Sequence, residues 1–282
     1  MPLVTSETML LAARQGGYAV GAFNAENMEM AQAIVQAACR ARAPVILQTT
    51  PSTVRYGGLA LYLASVRALA ESAPVPVAMH LDHGSSFELC AQAVRAGYTS
   101  VMIDGSKLPL PENIALTRRV AELGRACGVP VEGELGRVGG KEDDLVCGAG
   151  AYTDPGEAVE FVRETGVSSL AVGVGTAHGV YAAAPVLNTG LVGRLKDLLA
   201  VPLVLHGASG LGGRAVRGCI SQGICKVNFA TELRAAYTAG VRRALAQDAK
   251  TFDPKTYGGA GREAVEQLVL DLIRVCGCGG RA

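Results

Sequence analysis

Short runs of β-branched and small apolar residues alternate with amphipathic stretches from Tyr18 almost to the end of the chain. The runs are Tyr18–Asn24, Pro44–Thr50, Val75–His80, Ser100–Gly105, Val129–Leu135, Leu170–Gly175, Val201–His206 and Cys225–Thr231. Three of them open at a Val-Pro pair, and proline favours extended backbone where a parallel strand begins. Between the runs, Met28–Ala41, Phe87–Ala96, Asn113–Cys127 and Gly156–Thr165 carry helical periodicity with few breakers. A further helix is predicted near the N-terminus, led in by Thr5 or Ser6. Eight strand–helix units spaced by roughly 25–40 residues fit an α/β fold of the (β/α)8 TIM-barrel type, with residues 1–282 as one domain. A doubly wound open sheet is the rival. It needs a reversal of strand order, and eight units with no leftover domain favour the closed barrel. The one long connection, Gly136–Tyr152, is glycine-rich and carries Lys141-Glu142-Asp143-Asp144. A loop of that length in a compact domain is often a mobile active-site element.

Composition narrows the function classes. Hydrophobic residues make up 49% of the chain and charged residues 18%, which describes a globular protein with ample core. A net charge of +1 offers no electrostatic footprint for nucleic acid or an anionic membrane, so an anionic ligand has to be held by a few local donors. No apolar stretch is long enough to span a bilayer, and the N-terminus lacks the marks of a signal peptide. Eight cysteines are scattered without a CxxC pair, which reads as the reduced thiols of a cytoplasmic protein. Cys276 and Cys278 could oxidise or bind metal; two incidental thiols in a tail is the simpler reading.

Chemistry concentrates at the carboxyl ends of the predicted strands, where barrel active sites lie. Read in order, those ends supply Asn24, Gln48 and Thr50, Asp82 and His83, Asp104, Glu134, His178, His206, and Asn228 with Thr231. The chain holds only four histidines, two of them in His80-Leu81-Asp82-His83. Three imidazoles with an open position make a catalytic zinc site, and His83, His178 and His206 are the expected ligands, at the ends of strands three, six and seven. His80 lies deeper and reads as a hydrogen-bonding or core histidine. The turn His206-Gly-Ala-Ser-Gly210 is small and glycine-rich, and Asn228-Phe-Ala-Thr231 leads into a helix whose N-terminus favours an anion. Adjacent anion-binding turns after strands seven and eight point to a phosphorylated substrate.

The stretches GAFNAENMEM, PVILQTTPST, HLDHGSS, SVMIDGS, EGELGRVGGKEDD, LAVGVGTAHGVY, PLVLHGASG and KVNFATEL run nearly end to end. On them the chain resembles the class II, zinc-dependent ketose-bisphosphate aldolases, which include the fructose- and tagatose-1,6-bisphosphate enzymes. The resemblance implies Zn2+ on His83, His178 and His206, with Asp82 as the acid/base at the substrate's C4 hydroxyl. Asp104 and Glu134 fall on positions linked to a second, non-catalytic metal site, and a monovalent cation (Na+ or K+) is a further implied cofactor. Glu142 matches a residue implicated in removing the carbon-bound proton. Gly179, Gly207, Ala208, Ser209, Asn228, Phe229, Ala230 and Thr231 fall where the family holds the dihydroxyacetone phosphate half, and Asn24 is a further expected substrate-binding residue. Arg262 sits where fructose enzymes place an arginine reaching the second phosphate, from a neighbouring subunit of a homodimer or homotetramer.

Departures bear on the sugar. Many fructose-bisphosphate members carry a lysine directly after the tyrosine of the HGxY stretch, where this chain has Ala182. The HGAS turn and the TTPST stretch look more like the tagatose branch, while Arg262 looks like the fructose branch. Lys107 replaces a frequent histidine. A third branch, acting on a phosphorylated intermediate of cyclitol breakdown, shares HLDHGSS and HGASG. Three other readings remain: a Schiff-base aldolase with Lys226 as nucleophile, a metal-dependent hydrolase, which would want an HxH pair on the first strand, and a non-catalytic partner subunit of a tagatose-pathway aldolase. Lys226 reads more simply as a core-edge lysine paired with a carboxylate.

Overall fold

The computed structural model describes residues 3–142, 145–147, 150–179 and 185–282, with the backbone alone for Lys141, Glu142 and residues 145–147. Eight parallel strands close into a barrel: β1 (Val20–Asn24), β2 (Val45–Thr49), β3 (Val77–Gly84), β4 (Ser100–Ile103), β5 (Val131–Leu135), β8 (Ser169–Val172), β10 (Leu203–Leu205) and β11 (Ile224–Phe229). Around the barrel their order is β1, β11, β10, β8, β5, β4, β3, β2. Each falls on one of the eight apolar runs, so the closed barrel holds and the open sheet does not.

Capping residues explain where the helices begin. Asn27 accepts from the Met30 amide to start α2 (Met28–Ala41), and Ser86 accepts from Leu89 to start α5 (Phe87–Ala96). Asp154 caps α7 (Pro155–Thr165), whose first helical residue is a proline with no amide to satisfy. Helix α1 (Ser6–Gly16) follows Thr5 and sits at the amino-terminal mouth of the barrel, where Ser6 Oγ donates to Ser100 Oγ at 2.9 Å.

The apolar core lies mainly between strands and helices. A separate cluster of Met102, Ala171 and Val204 fills part of the barrel interior. Most of the remaining interior is polar, with His80, Ser100, Glu132 and Lys226 all at most 2% exposed. Such groups survive burial only when they are hydrogen-bonded or paired, and they are here.

Two expectations need correction. The connection Gly136–Tyr152 is not plain loop: β6 (Gly139–Glu142) and β7 (Leu145–Cys147) pair antiparallel within it. Nor does His178 end a barrel strand. It lies six residues beyond β8 on the short β9 (Ala177–His178), which pairs in parallel with β6. Gly140 allows that pairing, since its φ is +88° and a Cβ there would meet the His178 carbonyl oxygen at 2.2 Å.

Candidate active site

Alternation along β3 points His80 and Asp82 into the barrel and would send His83 outward. A break in register between Leu81 and Gly84, with φ of +46° at His83, turns that ring back to the mouth instead. Bulges re-aim side chains in this way, and a positive φ on a residue with a Cβ is held only by its surroundings. One ligand atom from each of His83, His178 and His206 then lies within 4.8 Å of the others. The His206 ring follows directly on β10. Gly207, at φ +66°, lets that turn pack on the backbone of Ala177, where a Cβ would meet the carbonyl oxygen at 2.7 Å.

The donor set fits a cation. His83 Nδ1 is 3.0 Å from Asp104 Oδ2, and His206 Nε2 is 2.8 Å from Glu132 Oε1. Burial alone would raise both carboxyls. For Glu132, the neighbouring Lys226 and the His206 hydrogen bond outweigh it; for Asp104, His83 and Ser106 do. Each is held below the usual carboxylate range and can only accept. Burial also holds the His206 imidazole below its usual value, so the ring is neutral and its one proton belongs on Nε2. His83 Nε2 and His206 Nδ1 are left facing each other 2.9 Å apart. With a proton on each of the carboxylate-facing nitrogens, both of these atoms offer a lone pair, and a positive charge between them, a proton or a metal ion, satisfies both. His83, Asp104 and Glu134 form a second group with ligand atoms within 4.8 Å.

Asp82 is fully buried beside this centre, 4.0 Å from His83 Nε2. Asn24 (3.2 Å) and Gln48 (3.1 Å) donate to its Oδ2, and Asn228 donates to Oδ1 at 3.0 Å. Asn24 and Asn228, both assigned to the substrate by position, therefore hold the Asp82 carboxylate. Gln48 belongs to the same set, and its place at a strand end was its only mark in the sequence.

A cavity beside His178 is lined by Gly179, Gly207, Ser209, Asn228, Ala230, Thr231 and Arg234. It is open to the N-terminus of α10 (Thr231–Gln247), which has no side-chain cap, and Ser209 Oγ accepts the Ala230 amide at 3.1 Å. Free helix-end amides and small residues suit an anion. Ala208 is buried in the same turn. Arg234 is the cation of this cavity among the described residues and was missed in the sequence; its ion pair to Glu26 at 2.6 Å holds it in the first turn of α10. A positive charge at that end opposes the helix dipole. Phe229 serves the core instead, stacked on Phe23 with ring centroids 5.5 Å apart, so only its backbone can face a ligand.

Other expected residues lie elsewhere. Arg262, on α11 (Pro254–Cys276), donates to Gln32 of α2 at 3.1 Å. The Glu142 side chain, Tyr181 and Ala182 lie outside the described residues. Lys226 is not at the core edge but fully inside, 2.8 Å from Glu132, where an ion pair occupies the amine a Schiff base would need. Cys276 and Cys278 are buried free thiols, and burial pushes Cys278 up to about 11, which leaves both inert.

Comparison with known proteins decides the family. The family model described as fructose-bisphosphate aldolase class-II matches residues 4–281. The chain belongs to the class II fructose-bisphosphate aldolase family. It is an aldolase and hence a lyase, and members of this family use a divalent metal and a phosphorylated sugar. The YdjI aldolase of Escherichia coli K12 is 35% identical, with a TM-score of 0.87 and 99% of both chains covered. A Coccidioides immitis protein provisionally assigned as a fructose-1,6-bisphosphate aldolase is 28% identical, at TM-score 0.90, over 97% of this chain and 96% of its own. The fructose-bisphosphate aldolase of Campylobacter jejuni shares the fold at 22% identity and TM-score 0.84, over 100% and 97% of the two chains. Among the described residues of this aldolase, no helix is long and apolar enough to cross a membrane.

Proposed function

We propose that this aldolase catalyses reversible, zinc-dependent cleavage of a ketose 1,6-bisphosphate, tagatose or fructose, to dihydroxyacetone phosphate and glyceraldehyde 3-phosphate. The observation that carries the reading is the convergence of His83, His178 and His206 between a buried carboxylate, Asp82, and an anion cradle. His83, His178 and His206 would hold the metal. A bound zinc ion supplies Lewis-acid stabilisation for the negative charge left on the ketone-derived fragment when the carbon–carbon bond breaks.

Asp82 takes the C4 hydroxyl proton in cleavage and returns it in condensation. The amides of Asn24, Gln48 and Asn228 hold its carboxylate in place as it does so. Gly179, Gly207, Ser209 and the start of α10 bind the phosphate of the dihydroxyacetone half, and Arg234 adds a cation to that cradle. Glu142 moves the carbon-bound proton, and Arg262 reaches the distal phosphate across a homodimer or homotetramer. Both of those roles rest on the family resemblance.

HGAS and TTPST favour the tagatose branch; the phosphorylated cyclitol-breakdown ketose is the alternative substrate. The deciding experiment compares dihydroxyacetone phosphate release from tagatose- and fructose-1,6-bisphosphate by the zinc-loaded protein. The expected outcome is a higher kcat/KM for the tagatose sugar. Release from neither would refute the ketose-bisphosphate assignment.

A further inference from the structure

A second polar layer lies beneath the three histidines, and the proposed reaction leaves it without a part. Glu132 sits on β5 two residues before Glu134, on the same inward face. Its Oε1 is 2.8 Å from His206 Nε2, while its Oε2 accepts from Lys226 Nζ at 2.8 Å. Lys226 Nζ lies 3.5 Å from His80 Nε2, and His80 Nδ1 lies 2.8 Å from Ser100 Oγ. The chain of contacts thus runs from a histidine of the trio down the barrel axis to Ser6 at the far mouth.

Apolar residues of equal volume would fill this space without desolvating two charges, and buried ion pairs often stabilise less than such replacements. The pair therefore calls for a reason other than packing, and its geometry supplies one. We propose that Glu132 is a positioning residue for His206: it accepts a hydrogen bond from Nε2–H and so presents the Nδ1 lone pair toward His83. Lys226 fixes where the Glu132 carboxylate points, and His80 braces Lys226 from the other side. Asp104 does the same for His83 through Nδ1, so two rings of the trio are set by carboxylates from β5 and from the end of the neighbouring strand β4. A ligand ring oriented in this way is worth about 10–100-fold in metal affinity. The inference rests on reading the trio as the metal centre.

The test uses the full chain stripped of metal by chelation and then titrated with zinc alone. In the wild type, nitrogen NMR of the apo protein is expected to show His206 protonated on Nε2. The double variant Glu132→Leu, Lys226→Met removes the whole ion pair, so no buried charge is stranded and the barrel is expected to fold. Its zinc Kd is expected to rise by about 10–100-fold, whereas a merely structural role would leave it unchanged. A folded double variant with wild-type zinc affinity, or a wild-type His206 protonated on Nδ1, would overturn the proposal. Should the double variant not fold, the tautomer in the wild type decides alone. A wild type that bound no zinc would refute the metal reading instead, and the tautomer would still decide what Glu132 does.

Discussion

Asp82→Asn is expected to lower kcat for bisphosphate cleavage by about 10²–10⁴-fold, the range that a positioned general acid/base supplies. KM is expected to change far less, because the phosphate cradle of Gly179, Gly207, Ser209 and Thr231 is untouched. The substitution keeps the size of the side chain and one accepting oxygen for the amides of Asn24, Gln48 and Asn228, but it removes the carboxylate that takes the proton. Zinc content measured alongside is expected to match the wild type, since Asp82 does not belong to the histidine trio. A variant with full activity would remove Asp82 from the chemistry, and a wild type with no cleavage activity of its own would restore the reading of a non-catalytic partner subunit.

Lys226→Met, made alone, is expected to destabilise the fold by about 3–5 kcal/mol, the cost of stranding one charge of a buried pair. Glu132 would keep its carboxylate in a site no more than 2% exposed with its cation gone. The pH dependence follows from the same pair. Glu132 titrates below its ordinary value of 4.5 in the folded protein, so it adds stability above that pH, and the contribution fades as pH falls below it. Removing Lys226 lifts the Glu132 carboxyl, so acid unfolding is expected to begin at higher pH than in the wild type. Urea unfolding of both proteins at neutral and mildly acid pH measures the two effects together. An unchanged midpoint at neutral pH would mean that the pair contributes nothing to the fold.

The eight strands were legible because apolar runs and amphipathic helices alternate, and because Val-Pro pairs mark where three of the strands begin. The histidines were legible as a group because the chain holds only four, and three of them stand at or just beyond the ends of such runs. Periodicity reports which face a residue takes, not what it meets there. Glu132 shows the difference: in Val-Glu-Gly-Glu-Leu it alternates in phase with Glu134, yet only the strand-end residue was singled out. Its partner Lys226 lies across the barrel and 94 residues away in sequence. His178 was placed at the correct mouth but on the wrong element, since nothing in GVGTAHG marks a strand that pairs with Gly139-Gly140. His83 required a register break whose only sequence trace is the glycine that follows it. Arg234 was passed over because a single arginine in a helix is ordinarily a solvated one.

The most direct measurement is cleavage of ketose 1,6-bisphosphate by protein freed of metal with a chelator, before and after zinc is returned, with borohydride added to a parallel sample. The expected result is loss of activity on chelation, recovery with zinc and no trapped substrate adduct. A metal-free protein that kept its activity, or a borohydride-trapped adduct on Lys226, would contradict a metal centre built from His83, His178 and His206.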